Sequence, residues 1–388
     1  MLARAALDTL LRLARAFPVI AITGPRQSGK TTLARAVFAD KPYVSLEDPE
    51  ERAFAAADPR GFIARFERGA VFDEAQRSPQ LFSYLQGVVD ARGRVGDFVL
   101  TGSQQFGLMS GITQSLAGRV GLLHLLPFSL AELEQAGLAP RSLEQALWQG
   151  GYPPLHDRRI APGDWFPNYV ATYLERDVRR LLAVRDLALF QRFLKMCAAR
   201  TGQLLNLSSL AADCGITHVT AREWLTVLEA SYVVVLLRPY HRNYGKRLVK
   251  TPKLYFLDVG LAAWLLGVRD AASMVVHAQR GALFETMVIS EILKHEFNAG
   301  RTGELYFWRD SAGNEVDLLL PAGESQQPVE IKSGSTFSPD WLAPARRWAA
   351  LAGDEALPPI IVFGGSGRYE REGCRVVGWR DLAVASAR

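Results

Sequence analysis

The stretch Val19-Ile20-Ala21-Ile22-Thr23-Gly24-Pro25-Arg26-Gln27-Ser28-Gly29-Lys30-Thr31-Thr32 decides the fold of this chain. Its first residues form a short apolar run, which predicts a buried parallel strand that ends at Gly24. Gly29-Lys30-Thr31 then opens a predicted helix that continues to Phe38. A loop between a strand and a helix N-terminus presents successive backbone N–H groups, and these favour a phosphate group.

The pattern G-x-x-x-x-G-K-T in this strand–loop–helix context is the P-loop, which binds nucleotide phosphates. We expect Lys30 to contact the β- and γ-phosphates and the Thr31 hydroxyl to hold Mg²⁺. A chance glycine-rich turn is the alternative reading. The predicted nucleotide-binding residues of the loop are Gly24, Pro25, Arg26, Gln27, Ser28, Gly29, Lys30, Thr31 and Thr32.

After a second strand predicted at 43–46, the short apolar strand 69–74 ends in two acidic residues, Asp73 and Glu74. In a P-loop protein the first acid of such a pair holds Mg²⁺, and we expect Asp73 to do so largely through water. Glu74 would orient or deprotonate the attacking water, and a solvated acidic turn is the alternative. A further strand ends at Thr101 and Ser103, which are candidates to sense the γ-phosphate because strand ends meet beside the phosphates. An ordinary Ser/Gly turn explains those two hydroxyls equally well.

Composition narrows the class of protein. At 388 residues the chain is long enough for two or three domains, and its 48% hydrophobic and 22% charged residues are ordinary for a globular protein. The net charge of +5 permits nucleic-acid binding without requiring it. Three separated cysteines without a C-x-x-C pair predict neither a disulfide framework nor a zinc cluster, and they fit a reducing cytoplasm. No charge-free apolar run reaches about 18 residues, so we predict no membrane span.

Five motifs in a fixed order carry a resemblance to a known family. They are GPRQSGKTT at 24–32, DEAQ at 73–76, LTGS at 100–103, SLAGR at 115–119 and LPFS at 126–129. The set resembles the AAA-type P-loop ATPases that carry a C-terminal domain of unknown function, DUF4143. This resemblance implies ATP as the cofactor, bound with Mg²⁺, and ATP hydrolysis.

In AAA-type rings an arginine of a neighbouring subunit stabilises charge on the γ-phosphate. Arg119, in the fourth motif, is our candidate for that role, with a surface or structural arginine as the alternative. If Arg119 acts in trans, the protein must form a homo-oligomer to hydrolyse ATP.

Residues 129–186 show a helical pattern and are predicted to form a lid over the nucleotide site. Aromatic residues at helical spacing run from Trp165 to Leu182 and are most simply core residues. The helix ends in Arg176, Arg179 and Arg180, which could touch phosphate or DNA but by default form a solvated, salt-bridged face.

Residues 187–272 resemble a winged helix. Three helices are predicted, over 187–200, 206–215 and 217–229, and the last of them is amphipathic. Two predicted strands, 232–237 and 253–257, flank a basic and aromatic segment. If the last helix enters the major groove and the wing contacts phosphates, the DNA-facing residues are His218, Thr220, Arg222, Arg242, Lys246 and Arg247. Winged helices also serve as protein-interaction or packing modules, and that alternative stays open.

Residues 273–388 carry a second predicted chemistry. The element order αβββαβ is the core of the restriction-endonuclease-like fold, whose site combines an acid on the first helix, an Asp on the second strand and Glu-x-Lys on the third. Glu285, Asp317, Glu330 and Lys332 occupy these positions, and Glu330 and Lys332 share one strand face. Glu285, Asp317 and Glu330 are the predicted metal ligands, and Lys332 would neutralise developing charge. A salt-bridged strand edge, or a nucleic-acid-binding module without catalysis, is the alternative.

Together these patterns predict an α/β protein: residues 1–128 form a P-loop ATPase core with a parallel sheet, followed by the lid, the winged helix and the endonuclease-like domain. The leading hypothesis is a cytoplasmic, oligomeric ATPase that acts on DNA, with Glu74, Arg119 and Lys332 as catalytic residues and Ser103 at the nucleotide. The alternative is a nucleotide-dependent switch that controls a protein partner.

Overall fold

The computed structural model describes residues 2–103, 105–174, 186–240 and 249–382. They form two compact units. The first contains the chain up to Phe128 together with Ala230–Tyr232 and Phe297–Arg301. The second takes in the rest of the described chain.

A five-stranded parallel sheet is the centre of the first unit. Its strands are β1 (Val19–Thr23), β2 (Tyr43–Ser45), β3 (Ala70–Asp73), β4 (Phe98–Gly102) and β5 (Val120–His124). Their spatial order is β2-β3-β4-β1-β5, and all neighbouring pairs are parallel. The predicted α/β fold with a parallel sheet is therefore confirmed, and β1 lies between β4 and β5 with the P-loop at its carboxyl end.

Both faces of this sheet are covered by helices, which explains why its strands are almost continuously apolar. On one face Ile20 and Ile22 pack with apolar residues of α1 (Leu7–Ala16) and α2 (Lys30–Val37). On the other face Val19 and Ala21 belong to a core completed by the helices that follow β2, β3 and β4. These are α3 (Pro49–Ala57), α4 (Pro59–Ala64), α5 (Leu81–Arg92) and α6 (Gln105–Ser115).

The second unit begins with four helices: α7 (Leu130–Gln135), α8 (Leu143–Gln149), α9 (Pro153–His156) and α10 (Pro162–Tyr169). The helical spacing predicted from Trp165 corresponds to helix in the described residues up to Leu174, although this helix is not an α-helix throughout. The helix starts earlier, at Pro162, and changes to a π-helix over Val170–Leu174. Pro167 lies inside α10 and has no N–H to donate, which weakens the helix immediately before that change. Residues 175–185, with Arg176, Arg179 and Arg180, lie outside the described residues.

Three helices and two strands follow, as predicted for the segment 187–272. They are α11 (Leu187–Ala198), α12 (Leu207–Cys214), α13 (His218–Ala230), β6 (Val234–Pro239) and β7 (Lys253–Phe256). β6 and β7 are antiparallel. The strand predicted to start at Tyr232 is wrong at its beginning, because Tyr232 has a φ of 56° and extended pairing begins at Val234. Arg242, Lys246 and Arg247 lie outside the described residues.

The last part of the chain has the predicted helix–strand–strand–strand–helix–strand order. Between β7 and this part lie the short helices α14 (Val259–Leu265) and α15 (Ala271–Met274). The elements in order are α16 (Arg280–Asn298), β8 (Tyr306–Arg309), β9 (Glu315–Ala322), β10 (Ser325–Lys332), α17 (Ala343–Ala352) and β11 (Ile360–Phe363), followed by β12 (Arg368–Arg371) and β13 (Cys374–Gly378). One mixed sheet of eight strands, in the order β12-β13-β11-β10-β9-β8-β6-β7, combines these strands with β6 and β7. Its assignment to an endonuclease-like fold stays a prediction.

None of the helices that the structure describes combines the length and the apolar character needed to cross a bilayer.

Candidate nucleotide site and a C-terminal charge cluster

The loop between β1 and α2 has the backbone of a phosphate cradle. Gly24, Gln27 and Gly29 all have positive φ angles, of 148°, 63° and 93°. Positive φ values turn consecutive N–H groups toward one side, as an anion-binding nest requires. Gly29 is the N-cap of α2, so the orphan N–H groups of the helix open into the same loop.

Gly24 packs against the chain that follows β5. A Cβ at this position would lie 2.1 Å from the carbonyl oxygen of Leu125, far inside van der Waals contact. The N–H of Leu125 donates to the carbonyl of Thr23 at 2.7 Å, which holds the two segments together. The first glycine of the motif is therefore required by close packing as well as by its backbone angles.

We expect Gly24→Ala to destabilise the protein strongly, because it adds a clash to a backbone strain that alone costs roughly 1–3 kcal/mol. Gly93→Ala is the matched control: Gly93 also has a positive φ, of 61°, but a Cβ there meets nothing within 4 Å. Urea unfolding of both variants measures the difference. Equal destabilisation of the two variants would contradict the packing argument.

Lys30 lies inside the loop and is 6% exposed. Its Nζ donates to the carbonyl oxygens of Gly24 at 2.9 Å and Pro25 at 2.6 Å. An ammonium group held within the cradle fits a role in phosphate binding, since phosphate oxygens can replace carbonyl oxygens as its acceptors. Ser28 Oγ, also in the loop, is buried and has no hydrogen-bond partner among the described residues. The loop therefore fits a bound phosphate group.

Arg4 supports the loop from the amino-terminal segment and was not predicted from the sequence. Its guanidinium donates to the carbonyls of Ser28 at 2.8 Å and Leu126 at 2.7 Å. It also lies over the ring of Phe128, 4.8 Å from the centroid. Arg4 is 7% exposed, so these contacts are largely removed from water. No local pattern pointed to Arg4, because its partners lie 24 and 122 residues away.

Asp73 lies where Thr31 of the P-loop can reach it. The Thr31 hydroxyl donates to both carboxylate oxygens, at 3.0 and 3.1 Å, and Thr101 donates to Oδ1. Tyr43, the first residue of β2, donates to Oδ2 at 2.8 Å, a contact that the sequence did not reveal. Burial, and then the hydrogen bond to Asp73, raise the pKa of Tyr43, so the phenol stays a donor. Thr31 and Asp73, the two predicted Mg²⁺ residues of this site, thus lie side by side.

Glu74 is held in position by two further side chains. Its backbone has a φ of 52°, which turns the chain sharply after β3. Gln76 Nε2 donates to its carboxylate at 2.5 Å, and Ser103 Oγ donates to the same oxygen at 3.1 Å. The two hydroxyls at the end of β4 therefore contact different acids: Thr101 contacts Asp73, and Ser103, just after the strand, contacts Glu74.

Arg119 lies at the opposite end of the sheet from the P-loop of its own chain. Its carbonyl accepts from Val19, the first residue of β1, whereas the loop follows Thr23, the last one. Five paired residues of β1 and β5 separate them, roughly 17 Å at the usual rise per residue. The guanidinium is bidentate to Asp90 on α5, at 2.6 and 2.8 Å. Arg119 does not contact the phosphate cradle of its own chain.

The four predicted C-terminal residues do come together, with partners that the sequence did not indicate. Lys332 Nζ donates to Asp317 and to Glu330, both at 2.9 Å. Glu285 accepts from Lys253 at 3.2 Å and from Tyr255, both on β7. Lys253 also forms an ion pair with Glu315 at 2.5 Å. Lys253 and Tyr255 follow the apolar pattern of a strand, and only the pairing of distant segments places them here.

The predicted ligand carboxylates of this cluster all contact lysines. Among the residues that the structure describes, no group of three or more His, Cys, Asp or Glu side chains is placed to hold a metal ion. Asp317, Glu285 and Glu330 each accept from a lysine instead. Metal-dependent cleavage with Glu285, Asp317 and Glu330 as ligands stays a prediction from the sequence.

Glu330 and Asp317 respond in opposite ways to this environment. Burial, and then the charge of Asp317, raise the pKa of Glu330 to about 9. One of its oxygens is buried with no hydrogen-bond partner among the described residues, which also favours the neutral acid. Burial alone would raise the pKa of Asp317, but Lys332 and Lys253 hold it below its usual value. The cluster therefore combines a charged Asp317 with a protonated Glu330 at neutral pH.

We expect Glu330→Gln to remove a pH dependence of stability. Between about pH 4.5 and 9 the folded chain retains a proton on Glu330 that the unfolded chain loses, so stability falls as pH rises, by up to about 1.4 kcal/mol per pH unit. Gln cannot titrate, and its amide oxygen can still accept from Lys332. The variant should therefore gain stability relative to wild type on going from pH 5 to pH 9, measured by urea unfolding. Glu324→Gln, at an exposed carboxylate, is the control, and parallel pH profiles for wild type and Glu330→Gln would refute the assignment.

The fold and the site of the first unit define a P-loop ATPase. Comparison with known families agrees: an AAA domain model matches residues 16–134, and two models of domains of unknown function, DUF8612 and DUF4143, match residues 140–272 and 280–382. Two mycobacterial relatives are 34% identical over 339 residues, which cover 85% of this chain and 74% of theirs. They are the uncharacterized proteins Rv2008c of Mycobacterium tuberculosis and Mb2031c of Mycobacterium bovis. The chain belongs to this family, in which an AAA-type ATPase domain precedes DUF4143.

Two solved structures can be aligned with parts of this chain. The Walker-type ATPase PABY2304 of Pyrococcus abyssi is 15% identical, with 68% of this chain and 96% of that chain covered and a TM-score of 0.47. The RuvB Holliday junction branch migration motor of Thermotoga maritima is 21% identical, with 60% and 87% covered and a TM-score of 0.31.

Proposed function

We propose that this ATPase couples ATP hydrolysis to an action on DNA, as a homo-oligomer. Lys30 and the N–H groups of the cradle bind the phosphates and compensate charge on the transferred group. When bound with ATP, Mg²⁺ supplies further charge compensation, and Thr31 and Asp73 are the residues that would hold it. Glu74, oriented by Gln76 and Ser103, positions the attacking water and accepts its proton.

The observation that supports DNA as the target is the outer face of α13. Trp224 packs against Phe190 and Phe193 of α11 and buries one side of the helix. The other side exposes His218 and Arg222 at the turns that a helix-turn-helix presents to the major groove. The net charge of +5 favours association with a polyanion.

A protein partner is the second candidate, and a specific observation favours it. On the same face Val219 is 63% exposed, and the acidic Glu223 follows Arg222 directly. An apolar residue beside charges of both signs suits a protein surface better than a row of phosphates. In this alternative, the nucleotide state controls binding of that partner, and α13 contacts it.

Fluorescence anisotropy with duplex DNA, an ATP analogue and a series of salt concentrations tests the first function. We expect binding that weakens steeply with salt, and Arg222→Ala should reduce the salt slope by about one released counterion. Arg158→Ala, at another exposed arginine of the second unit, controls for loss of charge. No binding at low salt with the analogue present would eliminate DNA and leave the protein-partner switch.

We expect Arg119 to act in trans within the oligomer, because it lies at the far end of the sheet from the P-loop of its own chain. We expect Arg119→Ala to bind ATP normally but to lose about 10³-fold or more in hydrolysis, as for other arginines that act in trans. Mixing Arg119→Ala with Glu74→Gln should restore part of the activity. Where the two variants are neighbours, the Arg119→Ala subunit keeps Glu74 at its site and the Glu74→Gln subunit supplies Arg119. Asp90→Ala removes the ion-pair partner of Arg119 but leaves Arg119 itself in place, so this variant should retain hydrolysis. Full activity of Arg119→Ala alone would exclude this role.

A further inference from the structure

Behind the P-loop, three polar side chains meet in a closed group, in which Thr23 and Tyr232 are buried and His124 is half-buried. Thr23 Oγ1 lies 2.8 Å from His124 Nδ1 and 2.8 Å from the Tyr232 hydroxyl, and that hydroxyl lies 2.8 Å from the same ring nitrogen. Thr23 is 1% exposed and Tyr232 is 6% exposed. The ring of Phe297 covers His124, with 4.9 Å between centroids. Water therefore has little access to these three contacts.

The protons of this group can be assigned by counting donors. Burial lowers the pKa of His124 to about 4, so the ring is neutral at pH 7. If Nδ1 were only an acceptor, two hydroxyl protons could not serve three contacts, and one contact would join two lone pairs. With the proton on Nδ1, the ring N–H of His124 is shared between the two hydroxyls, Tyr232 donates to Thr23, and Thr23 points its proton at the Leu123 carbonyl, 3.5 Å away. Each of the three contacts then has a donor and an acceptor.

Thr23 connects this group directly to the phosphate cradle. It is the last residue of β1, and the next residue, Gly24, begins the loop. The Thr23 carbonyl accepts from Leu125, whose own carbonyl fills the space where a Gly24 side chain would lie. A change in the loop on phosphate binding must therefore move Thr23, or be resisted by its partners.

Tyr232 occupies a strained position between two elements of the second unit. Its φ of 56° is uncommon for an aromatic residue, and such strain persists where surrounding contacts determine the conformation. The turn Ala230–Tyr232 belongs to the first unit, whereas Glu229 before it and Val233 after it belong to the second. Tyr232 thus anchors the link between α13 and β6 to the end of the strand that carries the P-loop.

We propose that Tyr232 is a positioning residue for ATP turnover, which transmits the nucleotide occupancy of the P-loop through Thr23 to the link between α13 and β6. The role follows from the hydrogen-bonded group and does not depend on whether DNA or a protein is the target. It also gives a reason for the strained backbone, since this conformation brings the phenol to Thr23 and His124.

Hydrogen–deuterium exchange of the full chain, with and without a non-hydrolysable ATP analogue and Mg²⁺, tests the proposal. In wild type we expect the analogue to change exchange in peptides that span residues 228–236. Tyr232→Phe should reduce this change by at least half and weaken analogue binding about fivefold, the effect of one lost neutral hydrogen bond. Thr23→Val, which removes the other hydroxyl with little change in shape, should have the same effect and provides a second route if Tyr232→Phe folds poorly.

Tyr169→Phe is the matched control, because it removes a buried hydroxyl that lies 3.0 Å from that of Tyr152 in the second unit. It should leave both analogue binding and the exchange difference unchanged. The proposal is overturned if wild type shows no analogue-dependent change at 228–236, or if Tyr232→Phe and Thr23→Val retain that change in full.

Discussion

Lys30→Ala should abolish ATP hydrolysis and most ATP binding. Lys30 is the positive side chain enclosed in the cradle, where its Nζ is held by the carbonyls of Gly24 and Pro25. Alanine leaves the phosphates without that charge in a site with little water to replace it, and losing one such group costs about 10²–10³ in kcat. We expect a comparable rise in the Kd of ATP, measured by calorimetry beside a steady-state ATPase assay.

The control for Lys30→Ala is Lys41→Ala. The Lys41 ammonium donates to the carbonyl of Arg68, at 3.0 Å on the surface of the same unit, so its loss removes equal charge without touching the cradle. Thermal unfolding of both variants checks that Lys30→Ala is folded. Undiminished hydrolysis by a folded Lys30→Ala protein would refute the P-loop as the site of ATP turnover.

The second large effect is expected for Glu74→Gln, which should separate binding from hydrolysis. The change keeps the size of the side chain and its contact with Ser103, but the amide cannot accept a proton from water. Loss of a general base costs about 10²–10⁴ in rate. Affinity for ATP should stay within about twofold, because Lys30, Thr31 and the N–H groups of the loop are unchanged.

Single-turnover hydrolysis and calorimetric binding together measure this separation. Glu67→Gln is the control, since Glu67 is an exposed carboxylate just before β3. If Glu74→Gln lost binding and hydrolysis to the same degree, Glu74 would be a structural residue of the loop after β3. If neither changed, another group would have to activate the water.

The sheet of the first unit could be predicted because its signals are local. Residues 19–32 contain an apolar strand, positive-φ glycines and a helix start within one short segment, and the strands before Asp73 and Thr101 are equally continuous. The supporting contacts could not be predicted in this way. Arg4 and Tyr43 reach the site from 24 and 30 residues away in sequence, and nothing in their own neighbourhood differs from an ordinary helix flank or strand.

In the C-terminal charge cluster, too, the local pattern could be predicted and the contacts between distant segments could not. Strand periodicity placed Glu330 and Lys332 on one face, and the element order placed Asp317 beside them. The pattern could not show that Lys253 and Tyr255, from a strand some thirty residues before Glu285, would bind its carboxylate. Lysine side chains that the pairing of distant strands places beside a cluster of acids change the charge of that cluster, and only the three-dimensional structure reveals them.

The pairing of β6 with β8 has a practical consequence for dissecting this protein. Arg238 and Pro239 lie beside Tyr306 and Phe307, and the N–H of Tyr240 donates to Phe307 at 2.7 Å, so one sheet runs through both family segments of the second unit. A recombinant fragment that starts at residue 280 would leave the β8 edge bare, with its backbone groups free to recruit a strand from another molecule. Insoluble material from such a truncation would reflect where the gene was cut rather than the foldability of the natural chain.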